Sequence, residues 1–159
     1  MPDTRLSVVV TRRLPEVVET RMSELFNVRL RADDTKMSRD ELAAVIKTAD
    51  VLVPTVTDQI DAALLAQAGD RLKLIANYGA GVDHIDVQTA RRVRHQNAPL
   101  PGVVTEDTAD MTVALILAVI RRIPEGQAVM QKGDWAGWAP TAYMGGRVGG
   151  RRLGILGMG

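Results

Sequence analysis

The 159-residue chain contains no cysteine, which excludes disulfides, thiolate catalysis and cysteine-ligated metals. Aromatic residues are nearly absent: two Trp, two Tyr and one Phe are too few for a base-stacking platform. Charge of one sign is lacking as well. The net charge of +1 gives no electrostatic case for nucleic acid or for a membrane surface. Long hydrophobic runs are missing. The longest, 113–120, is far short of the ~18 residues a membrane span needs. The N-terminus shows no basic-then-apolar signal pattern. Together these absences set the expectation of a cytoplasmic protein with neither nucleic acid nor membrane as partner. What is present is ordinary globular composition, 46% hydrophobic and 25% charged. At about 150 residues per domain, the length allows one domain, or one and part of another.

Residues 6–99 alternate between strand-like and helix-like segments. A β-branched run at 6–10 is followed by Pro15, where a helix can begin, with Val17, Val18, Met22, Leu25 and Phe26 as its apolar face. Val28 and Leu30 form a weak alternating strand. Ser38 with Glu41 three residues later reads as a capping box before the stripe Leu42, Val45 and Ile46. Residues 51–53 are the next buried strand. Asp58 or Asp61 opens a helix containing Ile60, Leu64 and Leu65 and ending near Gly69, and 72–76 is a further strand. Strands separated by helices of this length predict a doubly wound parallel α/β domain. After Pro101-Gly102 the pattern changes. Thr105 is an N-cap candidate, with acidic residues in the first turn of a helix whose segment 111–120 is apolar nearly all round. Such a helix should be buried on more than one side, between domains or between subunits. Pro124 kinks it or begins a second helix reaching about Lys132. Residues 133–150 read as an irregular arm anchored by Trp135 and Trp138.

Two segments point to ligands. Asn77-Tyr78-Gly79-Ala80-Gly81-Val82-Asp83-His84-Ile85-Asp86 follows the carboxyl end of a strand, where doubly wound sheets place their ligands. Small residues let the backbone approach closely, and exposed N–H groups in such a turn bind an anion such as a carboxylate. The bland alternative is a turn that uses glycine for positive φ. At the other end, Leu153, Ile155 and Leu156 read as a strand running into Gly157-Met158-Gly159, the opening of a dinucleotide-binding turn or simply a glycine-rich tail. Histidine is scarce. His84 as a general acid needs an orienting partner, and neighbours one or two positions away on a helix do not face it. Packing or capping at a helix start is its ordinary role, and His95 lies in a polar stretch. Glu106, Asp107 and Asp110 compensate a helix dipole more readily than they bind a metal, so no metal site is expected.

These segments, with 10–15, 101–110, 133–140 and 151–159, resemble the D-isomer-specific 2-hydroxyacid dehydrogenases, the glyoxylate/hydroxypyruvate reductase group especially, nearly end to end and in order. The resemblance implies a flavodoxin-like substrate domain over 1–101. Over 102–159 it implies the start of a Rossmann domain, its long helix and first strand. It implies NAD or NADP as cofactor and a small 2-oxo or 2-hydroxy acid as substrate, with hydride transfer between the nicotinamide and C2. Tyr78, Gly79, Ala80 and Gly81 then form the substrate-carboxylate loop, Ala80 and Gly81 most directly. Thr108 lies near the nicotinamide end, Gly157 and Gly159 are fingerprint glycines, and the helix and arm over 105–145 join a homodimer. The family's catalytic arginine, acid and histidine fall beyond residue 159, so the chain is expected to be an N-terminal fragment, inactive alone.

The segment 93–100 departs from the family pattern. Arg94, His95, Gln96 and Asn97 stand where an apolar strand is expected, and burying them unpartnered would cost on the order of 1–3 kcal/mol each. Two compensating frameshifts would account for it; otherwise the strand is lost or moved to an edge. A non-enzymatic reading, as an NAD-sensing co-repressor or an interaction fragment acting through 111–120, is the alternative. A receiver-like signalling domain is excluded, because Thr11-Arg12-Arg13 and Pro54-Thr55 stand where its acidic pair and phosphorylatable Asp belong.

Overall fold

The computed structural model describes residues 5–92, 96–97 and 102–157. The backbone divides into two compact units, Met1–Val103 and Val104–Gly159. In the first, a five-stranded sheet is formed by β1 (Ser7–Val10), β2 (Asn27–Arg29), β3 (Val51–Val53), β4 (Leu74–Ile75) and β5 (Gln96–Asn97). Their order is β2-β1-β3-β4-β5 and every pairing is parallel. The helices between them are α1 (Glu16–Leu25), α2 (Arg39–Ile46), α3 (Ala62–Leu65) and α4 (Val87–Arg92). This is the doubly wound, flavodoxin-like topology expected of the alternating pattern.

The two-residue period of the strands divides the core. Val9, Leu52 and Ile75 face one side, where they join Leu42, Val45 and Ile46 of α2, Leu64 and Leu65 of α3, and Ala90 of α4. Val8, Val10, Val51 and Val53 face the other and pack with Leu14 and with Val18, Met22 and Phe26. The α1 stripe is therefore narrower than expected. Val17 and Leu25 are exposed, because 100° per residue carries them off the 18–22–26 line.

Local capping signals act as expected at α2 and α3. The Ser38 side chain accepts from Glu41 N–H at 3.2 Å, and Glu41 Oε2 accepts from Ser38 N–H at 2.7 Å. Asp61 caps α3 by accepting from Leu64 N–H at 2.8 Å. That helix is one turn long, ending at Leu65 rather than near Gly69, and Ile60 precedes it. Most of segment 93–100 lies outside the described residues. Gln96 and Asn97 are described by their backbone and pair with Leu74 and Ile75 as the edge strand. An edge strand pairs its backbone on one side only.

In the second unit, α5 (Thr105–Ile120) and α6 (Ile123–Lys132) are followed by irregular backbone. Thr105 is the first helical residue rather than the cap; Val104 occupies the cap position and makes no side-chain cap bond. Pro124 lies in the first turn of α6 and begins it rather than kinking α5. No residue of α5 is buried, so its own unit does not supply the cover its apolar surface asks for. Trp135 and Trp138 are exposed and anchor nothing within the described residues. The arm is held instead by Gly146 N–H donating to Ile120 O at 2.9 Å and by Arg122, 5.8 Å from the Tyr143 ring centroid. The strand expected at 153–156 does not form, and Leu153, Ile155 and Leu156 are exposed. An isolated strand leaves its ladder donors and acceptors unpaired, so it needs a neighbour to be stable.

Asp50 ties the amino-terminal edge of the sheet together. Its Oδ2 accepts from Ser7 N–H at 2.8 Å, and Arg71 reaches both oxygens at 3.1 and 3.2 Å. The Arg71 guanidinium, then the Ser7 N–H, hold the Asp50 carboxyl below its ordinary range. Its charged form is therefore favoured in the fold. The resulting stability is present above the unfolded pKa and is lost as pH falls through the folded value. Asp50→Ala should lower unfolding stability in urea by about 1–3 kcal/mol, because Ser7 N–H loses its acceptor. Asp50→Asn should lose less stability than the unaltered chain as pH falls below the ordinary aspartate range, the remainder coming from other lowered carboxylates such as Asp61.

Candidate functional site

Parallel strands bring their carboxyl ends to one edge, and three loops meet there in the first unit. Thr11 follows β1, residues 54–58 follow β3, and residues 77–86 follow β4. The strand order reverses between β1 and β3, where such sheets leave a crevice.

Asp58 joins the first two loops. It is 1% exposed, and its Oδ2 accepts from Thr11 Oγ1 at 2.5 Å, Thr55 N–H at 2.8 Å and Thr55 Oγ1 at 3.3 Å. Its Oδ1 is buried and has no partner among the described residues. Asp58 is thus a loop tie, not the helix opener that its position before 60–65 suggests. The third loop is laced to the second. Tyr78 N–H donates to Pro54 O at 2.8 Å, Ile60 N–H to His84 O at 2.8 Å, and Asp86 N–H to Ile60 O at 2.9 Å.

At the centre is Asn77, 2% exposed. Its Nδ2 donates to Gly79 O at 2.9 Å and to Gly81 O at 2.8 Å. Its Oδ1 lies 3.0 Å from His84 Nε2. Two carbonyls can only accept, so they fix the amide orientation. Oδ1 can only accept, so His84 Nε2 carries a proton and donates. Asp86, three residues into the turn's exit, accepts from Thr89 N–H at 2.8 Å and caps α4.

The consequence is a set of outward donors. No cis peptide occurs among the described residues, so a carbonyl drawn inward sends the N–H of the same peptide outward. With Gly79 O and Gly81 O held by Asn77, the Ala80 and Val82 N–H groups point away from it. Among the described residues no hydrogen bond is donated by the N–H of Gly79, Ala80, Gly81 or Val82. The donors a carboxylate needs are therefore present at Ala80 and its neighbours. Tyr78 differs, since its N–H is engaged by Pro54, leaving only its half-exposed side chain to face a ligand.

The glycines are not there for positive φ, since neither Gly79 nor Gly81 adopts one. Gly79 is required by space. A Cβ there would meet Val56 Cγ1 at 2.7 Å and Asn77 Nδ2 at 3.4 Å. Gly81 faces open space, with nothing within 4 Å of a built Cβ.

His84 is half-buried, and burial lowers its pKa below the ordinary value, against the opposing pull of Asp58 and then Asp83. Its ring holds a loop in place, a fuller role than simple packing or capping at a helix start. With Nε2 committed to Asn77, it is not aimed at a ligand as a general acid. His95 lies outside the described residues. No group of three or more His, Cys, Asp or Glu able to hold a metal occurs among the described residues. In the second unit, the Thr108 hydroxyl donates to Val104 O at 2.6 Å, one turn back along α5. Gly157 has φ +77° and open space around it, while Gly159 lies outside the described residues.

A parallel sheet of order β2-β1-β3-β4-β5 with helices between its strands defines a flavodoxin-like α/β protein. Comparison with known proteins narrows the class. Residues 8–147 match the D-isomer specific 2-hydroxyacid dehydrogenase catalytic domain, and the chain belongs to that family. It is 37% identical over 156 residues to a glyoxylate reductase of Thermococcus litoralis, covering 96% of this chain and 47% of the relative. It is 38% identical over 153 residues to a glyoxylate reductase of Korarchaeum cryptofilum, covering 96% and 46%. A solved Polaromonas structure described as a D-isomer specific 2-hydroxyacid dehydrogenase, NAD-binding, superposes with a TM-score of 0.91 at 32% identity, covering 98% of this chain and 49% of that one. The chain spans about half the length of the curated relatives it matches. These relatives are reductases and dehydrogenases, and they lend no support to the non-enzymatic reading. No helix among the described residues is long and apolar enough to cross a membrane.

Gly79→Ala should destabilise the chain by about 1–3 kcal/mol through overpacking against Val56. Gly81→Ala should leave thermal unfolding within about 1 °C of the unaltered chain, since nothing stands in its way. Because the fold favours neutral His84, the unfolded chain binds its proton at higher pH. Stability should fall as pH is lowered from the ordinary histidine value, about 6.5, through the folded value. An NMR titration that places His84 at or above that ordinary value would show that Asp58 and Asp83 outweigh burial.

Proposed function

We propose that this chain supplies the substrate-carboxylate half of an NAD(P)-dependent D-2-hydroxyacid dehydrogenase, acting on a small 2-oxo acid such as glyoxylate or hydroxypyruvate. The observation that carries this is the row of unengaged N–H groups at 79–82 beside a reversed strand order. Ala80 and Gly81 are the closest contacts to the carboxylate, Val82 N–H joins them on geometry, and Tyr78 and Gly79 complete the loop. Residues 1–101 form the substrate domain, and 102–159 begin the dinucleotide-binding domain.

The residues present fit a dinucleotide in part. Gly157 already holds the left-handed conformation that a tight phosphate turn needs, with room for a close approach. Gly157 and Gly159 would meet the pyrophosphate, and Thr108 would stand at the nicotinamide end, its hydroxyl oxygen still able to accept. When bound, the nicotinamide supplies or accepts the hydride at C2. What this chain's own residues do is orient the acid. Peptide donors at 80–82 fix its carboxylate, and the Asp58 and Asn77 ties keep those donors in place. His84 does not deliver the proton, because its Nε2–H is committed to Asn77.

A homodimer through 105–145 fits the same reading. Met111, Leu115 and Val119 are exposed on one side of α5 and Val113 and Leu117 on the other, and this much exposed apolar surface on one helix suits a covering partner. Light scattering of the purified chain should give twice the monomer mass. Leu115→Glu should return it to the monomer mass, and an unaltered chain that is already monomeric would refute that interface.

Titration of the isotopically labelled chain with sodium glyoxylate, against matched sodium chloride, tests the site. The Ala80, Gly81 and Val82 amide signals should move with a Kd of ~1–10 mM, and Gly81→Ala should weaken that response. Glyoxylate that leaves these amides still would overturn the assignment. The purified 159-residue chain should also show no glyoxylate-dependent NADH oxidation above the blank. Turnover would mean that the proton donor and the carboxylate-binding cation lie within these residues after all.

A further inference from the structure

Resting on the carboxylate-loop reading above, we infer that His84 is a positioning residue for that loop, acting through the Asn77 side chain on the peptides that carry the Ala80 and Val82 N–H groups. The inference follows from the count of hydrogen-bonding groups on one amide. Asn77 has two N–H donors and one carbonyl oxygen. Both donors are taken by loop carbonyls, Gly79 O at 2.9 Å and Gly81 O at 2.8 Å. The remaining oxygen is held by His84 Nε2 at 3.0 Å. A side chain amide is free to rotate about its last torsion. Half a turn would present oxygen to the two carbonyls and repel them. The imidazole N–H penalises that half-turn, because it would then face the amide nitrogen, donor against donor. His84 therefore reinforces the Asn77 orientation that the two carbonyls favour, and Asn77 sets the direction of two peptides.

His84 is itself held. Its carbonyl accepts from Ile60 N–H at 2.8 Å, and Ile85 N–H donates to Val82 O at 2.9 Å, so the ring sits on a turn closed at both ends. Asn77 is 2% exposed and stands two residues beyond the end of β4, so the lock is rooted beside the sheet rather than in the loop it controls. Protonation does not open the lock. The charged ring still donates from Nε2, and Oδ1 remains its acceptor. The requirement is for a donor at the Nε2 position, not for a charge.

Glutamine places an amide nitrogen near the position of imidazole Nε2, whereas leucine keeps bulk and offers no donor. The test compares the unaltered chain with His84→Gln and His84→Leu, each labelled with ¹⁵N. In the unaltered chain the His84 ring should show the Nε2–H tautomer at pH 8. His84→Leu should shift the Ala80 and Val82 amide signals before any ligand is added and weaken sodium glyoxylate binding about tenfold. His84→Gln should restore both to within about twofold of the unaltered chain. A His84→Leu chain with unmoved Ala80 and Val82 amides and undiminished affinity would overturn the inference, as would an Nδ1–H tautomer in the unaltered chain. If His84→Leu does not fold, the tautomer and His84→Gln still decide. Loss of the loop signals in His84→Gln despite a folded chain counts against the inference. If the unaltered chain does not bind glyoxylate, the carboxylate-site reading fails alone, since the tautomer and the ligand-free shifts are read without ligand.

Discussion

An amide side chain offers two N–H donors and one carbonyl oxygen, and the candidate site depends on Asn77 engaging each of these three groups at once. Buried in low dielectric, an unfilled position would carry a desolvation penalty, so the arrangement is close to all-or-none. Two glycine carbonyls take the donors, and one imidazole takes the acceptor. Because the peptide unit is planar and trans, fixing a carbonyl also fixes an N–H. A single buried residue thereby converts an otherwise floppy Gly-Ala-Gly turn into an ordered set of donors. The direction of the loop's N–H groups is set from behind it, by a side chain in the protein interior, and only the result reaches the surface.

Parallel topology is what makes this possible. Every strand enters from the same end, so β1, β3 and β4 discharge their loops side by side. Asp58 binds the loop after β3 to Thr11 after β1, and Pro54 and Ile60 bind that loop to the one containing Asn77. Each tie uses a backbone or side chain group within a few residues of a strand end, where the sheet register already restricts position. The opposite edge is closed by a different device, Asp50 between Ser7 and Arg71. Arg71 is more than half exposed, so its Coulombic contribution there is screened. The N–H of Ser7, facing a carboxylate that is almost wholly buried, accounts for more of the hold.

The sequence made the strands, the capping box at Ser38 and the parallel fold legible, because each is encoded by neighbours in the chain. The apolar run 51–53 has one way to be buried, and Ser38 with Glu41 has one local partner. The loop at 77–86 was legible as a turn after a strand's carboxyl end, but the residue that organises it was not. Asn77 looks like a strand-end polar residue, and nothing in local spacing says that it is buried or that His84, seven positions on, faces it. Asp58 misled for the same reason: Asp is a common cap, and its bond to Thr11 spans 47 residues. Where the pattern was strongest but its partner was missing, expectation and structure diverged. Residues 153–156 have strand composition and no neighbouring strand, and they form none.

That divergence separates the two units physically. Every hydrophobic residue buried among the described positions belongs to the first unit, the last of them Ala90. There, side chains such as Ile46, Leu52, Ile60, Leu64 and Ile75 are removed from water altogether, each worth about 1.5–3 kcal/mol. The second unit holds a long helix that is largely apolar over 111–120, yet no residue of it is buried. Helical propensity and intrahelical bonds can shape α5 but supply little net stability to a helix of 16 residues. Its order must then depend on cover that its own unit does not provide. The loop at 77–86 carries no such debt, since Asn77, His84 and Asp58 all lie within the unit that has its own core. The carboxylate role proposed for that loop therefore calls only on groups whose packing this unit itself provides.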